Sequence, residues 1–148
     1  IGPEFKPGHF PKMEVMFQKI RTNISETIDY PKNHWKRMRP YESDKKLLLG
    51  KPENSHSYPS GHSTRGTVVS LLLAELFPEQ KEGILEFGRT IGWDRVILGK
   101  HYPTDIYAGR VLGKAIVHEL MASPAFQRDF AEAKAEVQAA RGGQAGRN

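Results

Sequence analysis

Apolar residues recur at helical spacing in the first third of the chain. From Met13 to Ile28 they return every three or four positions, which predicts an amphipathic helix. This helix is expected to end near Pro31, because the residue before a proline is disfavoured in the helical region. A short second helix is predicted over "KNHWKRMR", up to Pro40. Residues 41–58 are polar and contain Gly, Pro, Asn and Ser, so they predict a loop.

The middle of the chain holds the most apolar segment. Residues 62–77 are almost uncharged and apolar on nearly every side, which predicts a central core helix closed by Pro78. No segment shows the alternating pattern of a strand, so the predicted fold class is all-α. Further helices are predicted over about 79–98, from Pro103 to about Met121, and from Ser123-Pro124 onward.

The chain is 148 residues long, which is the size of one domain. We expect a single helical domain over residues 1–141 and a flexible, glycine-containing tail over 142–148. The longest apolar run, 71–74, is too short to span a bilayer, so no membrane is expected as a partner. No signal-peptide pattern is visible, and the first residue is Ile1, so we expect a processed or truncated chain.

Composition narrows the chemistry. The formal net charge is +5, which favours anionic partners. Nucleic acid is not expected among them, because no cluster of Lys and Arg is interleaved with aromatic residues. The chain has no cysteine, which excludes disulfides, thiol catalysis and thiolate metal sites.

Two charged residues fall on apolar stripes of predicted helices. Arg95 lies between Ile91 and Leu98 on one stripe, where an unpaired guanidinium would cost several kcal/mol. Asp105 similarly precedes Ile116 on an inward-facing stripe, near a helix N-terminus that favours negative charge. Both side chains therefore need partners inside the protein.

Other ionisable residues are predicted to converge on the same place. His101 lies four residues before Asp105, and His62 opens the core helix. Lys32 and Arg39 are seven residues apart and would share a face if their helix stays regular. Each residue alone fits an ordinary structural role, such as a solvated lysine or a satisfied core histidine. Together with Arg95 they give three cations, two imidazoles and one carboxylate, and this combination indicates a site.

The sign of the charges selects the chemistry of that site. Two histidines and an aspartate could in principle ligate a metal, but three nearby cations would repel it. The cations would instead hold an oxyanion such as phosphate. No metal and no cofactor are expected. Catalysis by Ser60 is also excluded, because "PSGH" is not a nucleophile elbow and its histidine is only two residues away.

Three motifs carry a family resemblance: "KNHWKRMRP", "PSGH" and "RVILGKHYPTD". In this order they resemble the type 2 phosphatidic acid phosphatase superfamily, which includes the vanadium-dependent haloperoxidases. From about residue 32 to about 140 the chain is more similar to bacterial class A nonspecific acid phosphatases. The resemblance implies a helical bundle without its N-terminal helices, a periplasmic or secreted location and metal-independent hydrolysis.

The resemblance also assigns roles to residues. His101 would attack phosphorus and form a phosphohistidine, Asp105 would orient its ring, and His62 would act as general acid. The substrate would be a small phosphate ester, with inorganic phosphate or vanadate as a further ligand. The implied phosphate-binding residues are Lys32, Arg39, Ser60, Gly61 and Arg95.

The chain departs from the family pattern in two ways. Asp94 stands where the family usually has a serine, which puts the pH range in question. Only about thirty residues precede the first motif, so a missing segment or a second copy is expected to cover the core, and a homo-oligomer is expected. Two alternatives stay open: a vanadium-dependent haloperoxidase, and a non-enzymatic module that binds phosphate or nucleic acid. A membrane lipid phosphatase is disfavoured, because the later helices are highly charged.

Overall fold

A computed structural model describes the backbone of residues 6–145 and the side chains up to Arg141; residues 1–5 and 146–148 lie outside the described part. Within the predicted tail, 142–148, the backbone of 142–145 continues the last helix, and residues 146–148 lie outside the described residues; the flexibility of the tail stays a prediction. Within the described range the chain is helical and has no strand, which confirms the all-α class. The helices are α1 (Pro11–Trp35), α2 (Pro40–Ser43), α3 (Gly61–Leu76), α4 (Lys81–Ile97), α5 (Pro103–Ala122) and α6 (Pro124–Ala145).

Helix α1 is longer than its sequence predicts. It continues through Pro31 to Trp35 and ends at Lys36, which has a left-handed backbone (φ 47°). The predicted end near Pro31 and the predicted second helix are therefore wrong. The buried stripe explains the continuation, because Ile28 and Lys32 are both buried and one turn apart. Tertiary packing outweighs the hydrogen bond that a proline removes.

The predicted loop 41–58 is only partly irregular. Helix α2 occupies its start, and a short 3₁₀ turn follows over Lys45–Leu47. Arg39 is the N-cap of α2 and has an extended backbone. Lys32 and Arg39 thus lie on different elements, and the prediction that they share one helix face is wrong.

Helix α3 is the predicted core helix, and it packs against both α4 and α5. Glycines allow the close approach of α4: a Cβ at Gly88 would lie 2.3 Å from the Ser70 Oγ, and one at Gly92 would lie 2.6 Å from Ile106. Phe87 lies one turn before Ile91 on the apolar stripe of α4, but it is exposed. The glycine face of α4 contacts α3, together with Ile91, whose side chain lies beside Gly66 of α3.

Helix α5 approaches α3 even more closely at the end that carries the histidines. A Cβ at Gly109 would lie 2.6 Å from the Ser60 carbonyl oxygen, and one at Gly113 would lie 2.8 Å from that of Thr64. The Ser60 N–H donates to the Asp105 carbonyl at 3.0 Å. These backbone contacts bring the first turn of α3 beside the start of α5.

The remaining core lies between α1, α3, α5 and α6. Its members are apolar side chains on the inner stripes of these helices. None of the described helices is both long enough and apolar enough to cross a membrane. The core includes Met16, Ile20, Ile24, Leu72, Leu76, Ile116, Phe126, Phe130 and Val137.

An apolar groove of about 480 Å³ remains open between α1 and α5. Trp35, Tyr58 and Tyr107 are among the residues that line it, and Trp35 and Tyr107 are exposed. An exposed apolar patch is typical of a surface that another chain segment covers. The expected covering segment or second copy itself stays a prediction.

Candidate active site

His101 and Asp105 form a buried pair at the start of α5. They are 3% and 0% exposed, and His101 Nδ1 lies 3.3 Å from Asp105 Oδ2. Asp105 also accepts a hydrogen bond from the Tyr102 backbone N–H at 2.9 Å. Because Nδ1 faces the carboxylate, Nε2 is the ring nitrogen that faces the cationic side of the site.

Two further residues hold the Asp105 carboxylate. Ser57 Oγ donates to Oδ2 at 2.5 Å, and Arg37 Nη1 donates to Oδ1 at 2.7 Å. The Arg37 guanidinium lies over the Tyr102 ring, 4.2 Å from its centroid. Sequence analysis missed both residues, although Arg37 lies within the first motif. The carboxylate is thus fixed on both oxygens and cannot turn away from His101.

These contacts set the charges of the pair. Burial alone would raise the pKa of Asp105, but hydrogen bonds from His101, Ser57 and Tyr102 and the charge of Arg37 lower it. Burial lowers the pKa of His101, and Arg39 and Lys32 add to this effect against the hydrogen bond to Asp105. Asp105 is therefore ionised and the His101 ring is neutral at neutral pH, and a neutral imidazole nitrogen is able to act as a nucleophile.

Arg39 places a fixed cation beside the His101 ring. Its Nη1 lies 3.4 Å from His101 Nε2 and donates to the Lys100 carbonyl at 2.9 Å. Its Nε donates to the Ser55 carbonyl at 2.7 Å. A guanidinium held in this way can stabilise negative charge on a group attached to Nε2.

Lys32 provides the second cation. It is buried, and its Nζ donates to the His56 carbonyl at 2.5 Å, which Arg39 Nη2 also contacts at 3.3 Å. Burial and the charge of Arg39 lower the pKa of Lys32 to about 8. Lys32 is therefore still protonated at acidic pH and adds its charge to that of Arg39.

Arg95 provides the third cation, from the end of α4. Its side chain is 14% exposed, and Nη2 forms an ion pair with the Glu53 carboxylate. Arg95 Nε is buried and has no hydrogen-bond partner among the described residues. A buried donor without a partner is unusual and is typical of a position that binds a ligand. Sequence analysis missed Glu53, which lies in a polar segment without a motif.

The first turn of α3 carries the remaining predicted residues. Ser60 is fully buried and is the N-cap of α3, where its Oγ accepts from the Ser63 N–H at 3.3 Å. A Cβ at Gly61 would lie only 3.0 Å from Arg65 Nη1. His62 follows with an exposed ring. Packing around the ring and repulsion from Arg95 lower the pKa of His62.

Comparison with known proteins places this arrangement in a family. The sequence model of the PAP2 superfamily matches residues 15–129. The chain belongs to the PAP2 superfamily. The match includes every residue of the site described above.

Individual relatives of this PAP2 chain are phosphatases by name. It is 35% identical over 145 residues to an acid phosphatase of Zymomonas mobilis and covers 55% of that protein. It is 34% identical over 145 residues to a non-specific acid phosphatase of Salmonella typhimurium and covers 57% of it. The alignments cover 95% and 93% of this chain. The chain thus spans about half the length of the curated relatives it matches.

The PAP2 site is a cationic cradle with one neutral imidazole at its base and one accessible imidazole at its edge. Among the described side chains, no group of three histidine, aspartate or glutamate residues is arranged to hold a metal ion. Asp94, the departure from the family pattern, is exposed at the surface of α4. The arrangement can bind a tetrahedral anion and bring a nucleophilic nitrogen against it.

Proposed function

We propose that this PAP2 chain hydrolyses phosphate monoesters at acidic pH through a phosphohistidine on His101, without a metal ion. The observation that carries the proposal is the environment of the His101 ring. Asp105 holds Nδ1, while Arg39 lies 3.4 Å from Nε2. A neutral imidazole with a carboxylate on one nitrogen and a guanidinium beside the other is suited to attack a bound phosphate.

In the first step His101 Nε2 attacks phosphorus in line with the leaving oxygen. The P–N bond forms as the P–O bond to the leaving group breaks, and His62 donates a proton to the departing alkoxide. Asp105 stabilises the His101 ring as positive charge develops on it. His62 suits the acid role because it lies exposed at the edge of the cradle.

In the second step water attacks the phosphohistidine. His62, now neutral, takes a proton from the water as the P–N bond breaks, which returns His101 to its neutral form and leaves inorganic phosphate. The oxygens of the transferred group are held by Lys32, Arg39 and Arg95 and by the Gly61 and His62 N–H groups at the N-terminus of α3. Arg95 Nε, a buried donor, supports this placement.

The proposed mechanism predicts a bell-shaped pH dependence with an acidic optimum. His101 must be neutral, so the rate falls at pH values below its pKa; His62 must be protonated, so the rate falls at pH values above its own. Both pKa values are lowered from 6.5, which places the maximum of kcat/KM below neutrality. Hydrolysis of para-nitrophenyl phosphate measured across pH checks this. A maximum above about pH 8 would contradict the protonated state of His62.

A second prediction concerns metals and phosphate analogues. We expect a chelator to leave the rate of para-nitrophenyl phosphate hydrolysis unchanged and orthovanadate to inhibit it competitively, because vanadate imitates the five-coordinate transition state. Activity lost in chelator and restored by a divalent metal would refute the metal-free mechanism. Halide oxidation by the vanadate-loaded protein, without phosphatase activity, would favour the haloperoxidase alternative.

A further inference from the structure

Glu53 is a carboxylate on the cationic side of the site, and the proposed mechanism does not use it. Its side chain pairs with Arg95, and its backbone is held by Tyr41: the Glu53 N–H donates to the Tyr41 hydroxyl at 2.9 Å. The Tyr41 hydroxyl in turn contacts the Glu53 carbonyl at 3.3 Å. Since Tyr41 is buried, its two hydrogen bonds hold the backbone of Glu53 in place.

Glu53 belongs to a segment that contacts every cation of the cradle. We call residues 51–57 the cover segment. Because its oxygens face the cations, it lies where a bound anion would approach them. The contacts are Lys100 to the Lys51 carbonyl, Arg39 to the Ser55 and His56 carbonyls, Lys32 to the His56 carbonyl, and Arg95 to the Glu53 carboxylate.

Glu53 is the only side chain of the cover segment that brings a negative charge. Arg95 faces it from α4, Arg39 from the start of α2, His62 from α3 and Lys32 from α1. Burial would raise the pKa of Glu53, but Arg95 and Arg39 lower it below 4.5. Glu53 is therefore ionised throughout the pH range in which phosphate esters lose their second proton. Asp105, the other carboxylate, is already held by Arg37 and Ser57.

A phosphate group bound to Arg95 has to share this guanidinium with the Glu53 carboxylate. A doubly charged phosphate offers only acceptors to Glu53 and is repelled by it. A singly charged phosphate keeps one P–OH group, which can donate a hydrogen bond to the carboxylate. We propose that Glu53 makes the site select the singly charged, protonated form of phosphate monoesters. The inference rests on the proposed function and adds the charge state of the substrate.

The expected size of the effect follows from the added charge. One unit charge about 6 Å from another, at an effective dielectric constant of about 40 for this partly exposed carboxylate, changes an equilibrium constant by about tenfold. Glu53→Gln keeps the shape of the side chain and removes its charge. We expect it to tighten binding of inorganic phosphate about tenfold at pH 8, where phosphate is mostly doubly charged, and by less than about threefold at pH 5.

The test is a calorimetric titration of the full chain with inorganic phosphate at pH 5 and pH 8. Lys32, whose pKa is about 8, loses part of its charge over this range, and His62 and His101 are neutral at its upper end. These changes occur in the native protein and in the variant alike, so the ratio of native to variant affinity at each pH isolates Glu53. Glu119→Gln is the matched control. This exposed glutamate lies fourteen residues after Asp105 on α5, about 21 Å away along the helix, and should not change the ratio.

Two results would overturn the inference. Equal tightening by Glu53→Gln at both pH values would show that Glu53 does not distinguish charge states. Weaker binding at both would show that it only positions Arg95. Glu53→Ala, which removes the side chain, must give the same pH-dependent ratio if charge is the cause. Failure of the proposed function is visible separately, because the native protein would then not hydrolyse para-nitrophenyl phosphate, whether or not it binds inorganic phosphate.

Discussion

We expect His101→Ala to lower kcat for para-nitrophenyl phosphate by about 10⁴-fold or more while inorganic phosphate still binds within about fivefold of its native affinity. The loss is large because the variant has no atom to accept the phosphoryl group, and water would have to attack directly. We expect binding to survive because the proposed site holds the oxygens with Lys32, Arg39 and Arg95, whose own partners lie on the cover segment.

Steady-state kinetics and calorimetry on the same preparation separate these two effects. His118→Ala is the matched control, because that histidine is highly exposed near the other end of α5 and should not change kcat. The native protein, quenched at alkaline pH during turnover, should carry one phosphoryl group on the peptide that contains His101. A His101→Ala protein that keeps more than a few per cent of the native rate would remove the nucleophile assignment.

The second large effect is expected from Asp105→Asn. Removing the charge while keeping the shape should lower kcat by about 10³–10⁴-fold, because an amide no longer enforces the attacking tautomer or stabilises the charged ring. It should also lower the free energy of unfolding by about 2–3 kcal/mol. Arg37, Ser57 and the Tyr102 N–H all donate to this carboxylate and would lose a charged acceptor.

Urea unfolding and kinetics measure the two losses on one protein. Asp129→Asn removes a carboxylate from a surface pair with Lys19 and is the control; it should cost less than about 1 kcal/mol and leave kcat unchanged. An Asp105→Asn protein with a native rate would show that the His101–Asp105 contact does not orient the nucleophile. A native rate would also weaken the proposed role of Arg37 as the residue that positions Asp105.

Most of the helical framework was predictable from periodicity. Helices α3 to α5 begin and end close to the predicted residues, and α6 begins at the predicted Pro124, because their apolar stripes and prolines act locally. The path between α1 and α2 was not predictable. The rule that a helix stops before proline was outweighed at Pro31 by the burial of Ile28 and Lys32 on either side. When an apolar stripe ends in a lysine, the sequence does not show that the lysine is buried unless its hydrogen-bond partner is known.

The sequence predicted those parts of the site that depend on a particular type of side chain. It did not predict the contacts that are made by backbone carbonyl groups. Arg95 and Asp105 were found because charge on an apolar stripe is costly. The cover segment gave no such signal, since it contacts Lys32 and Arg39 through carbonyl oxygens that every residue has. Glu53 could not be singled out from the sequence, because its neighbours are also polar and its partner, Arg95, is 42 residues away.

The contact between α3 and α5 and the cover segment differ in how strongly the fold restricts their sequences. At Gly109 and Gly113 helix α5 meets the main chain of α3 and the small side chains of Ser63 and Thr67, so closely that no Cβ fits at either glycine. The spacing of His62 and His101 is therefore insensitive to sequence changes elsewhere on these helices. The cover segment carries no such constraint at its exposed positions, such as Asn54. Libraries aimed at new leaving groups should randomise that segment and leave the glycine contact intact.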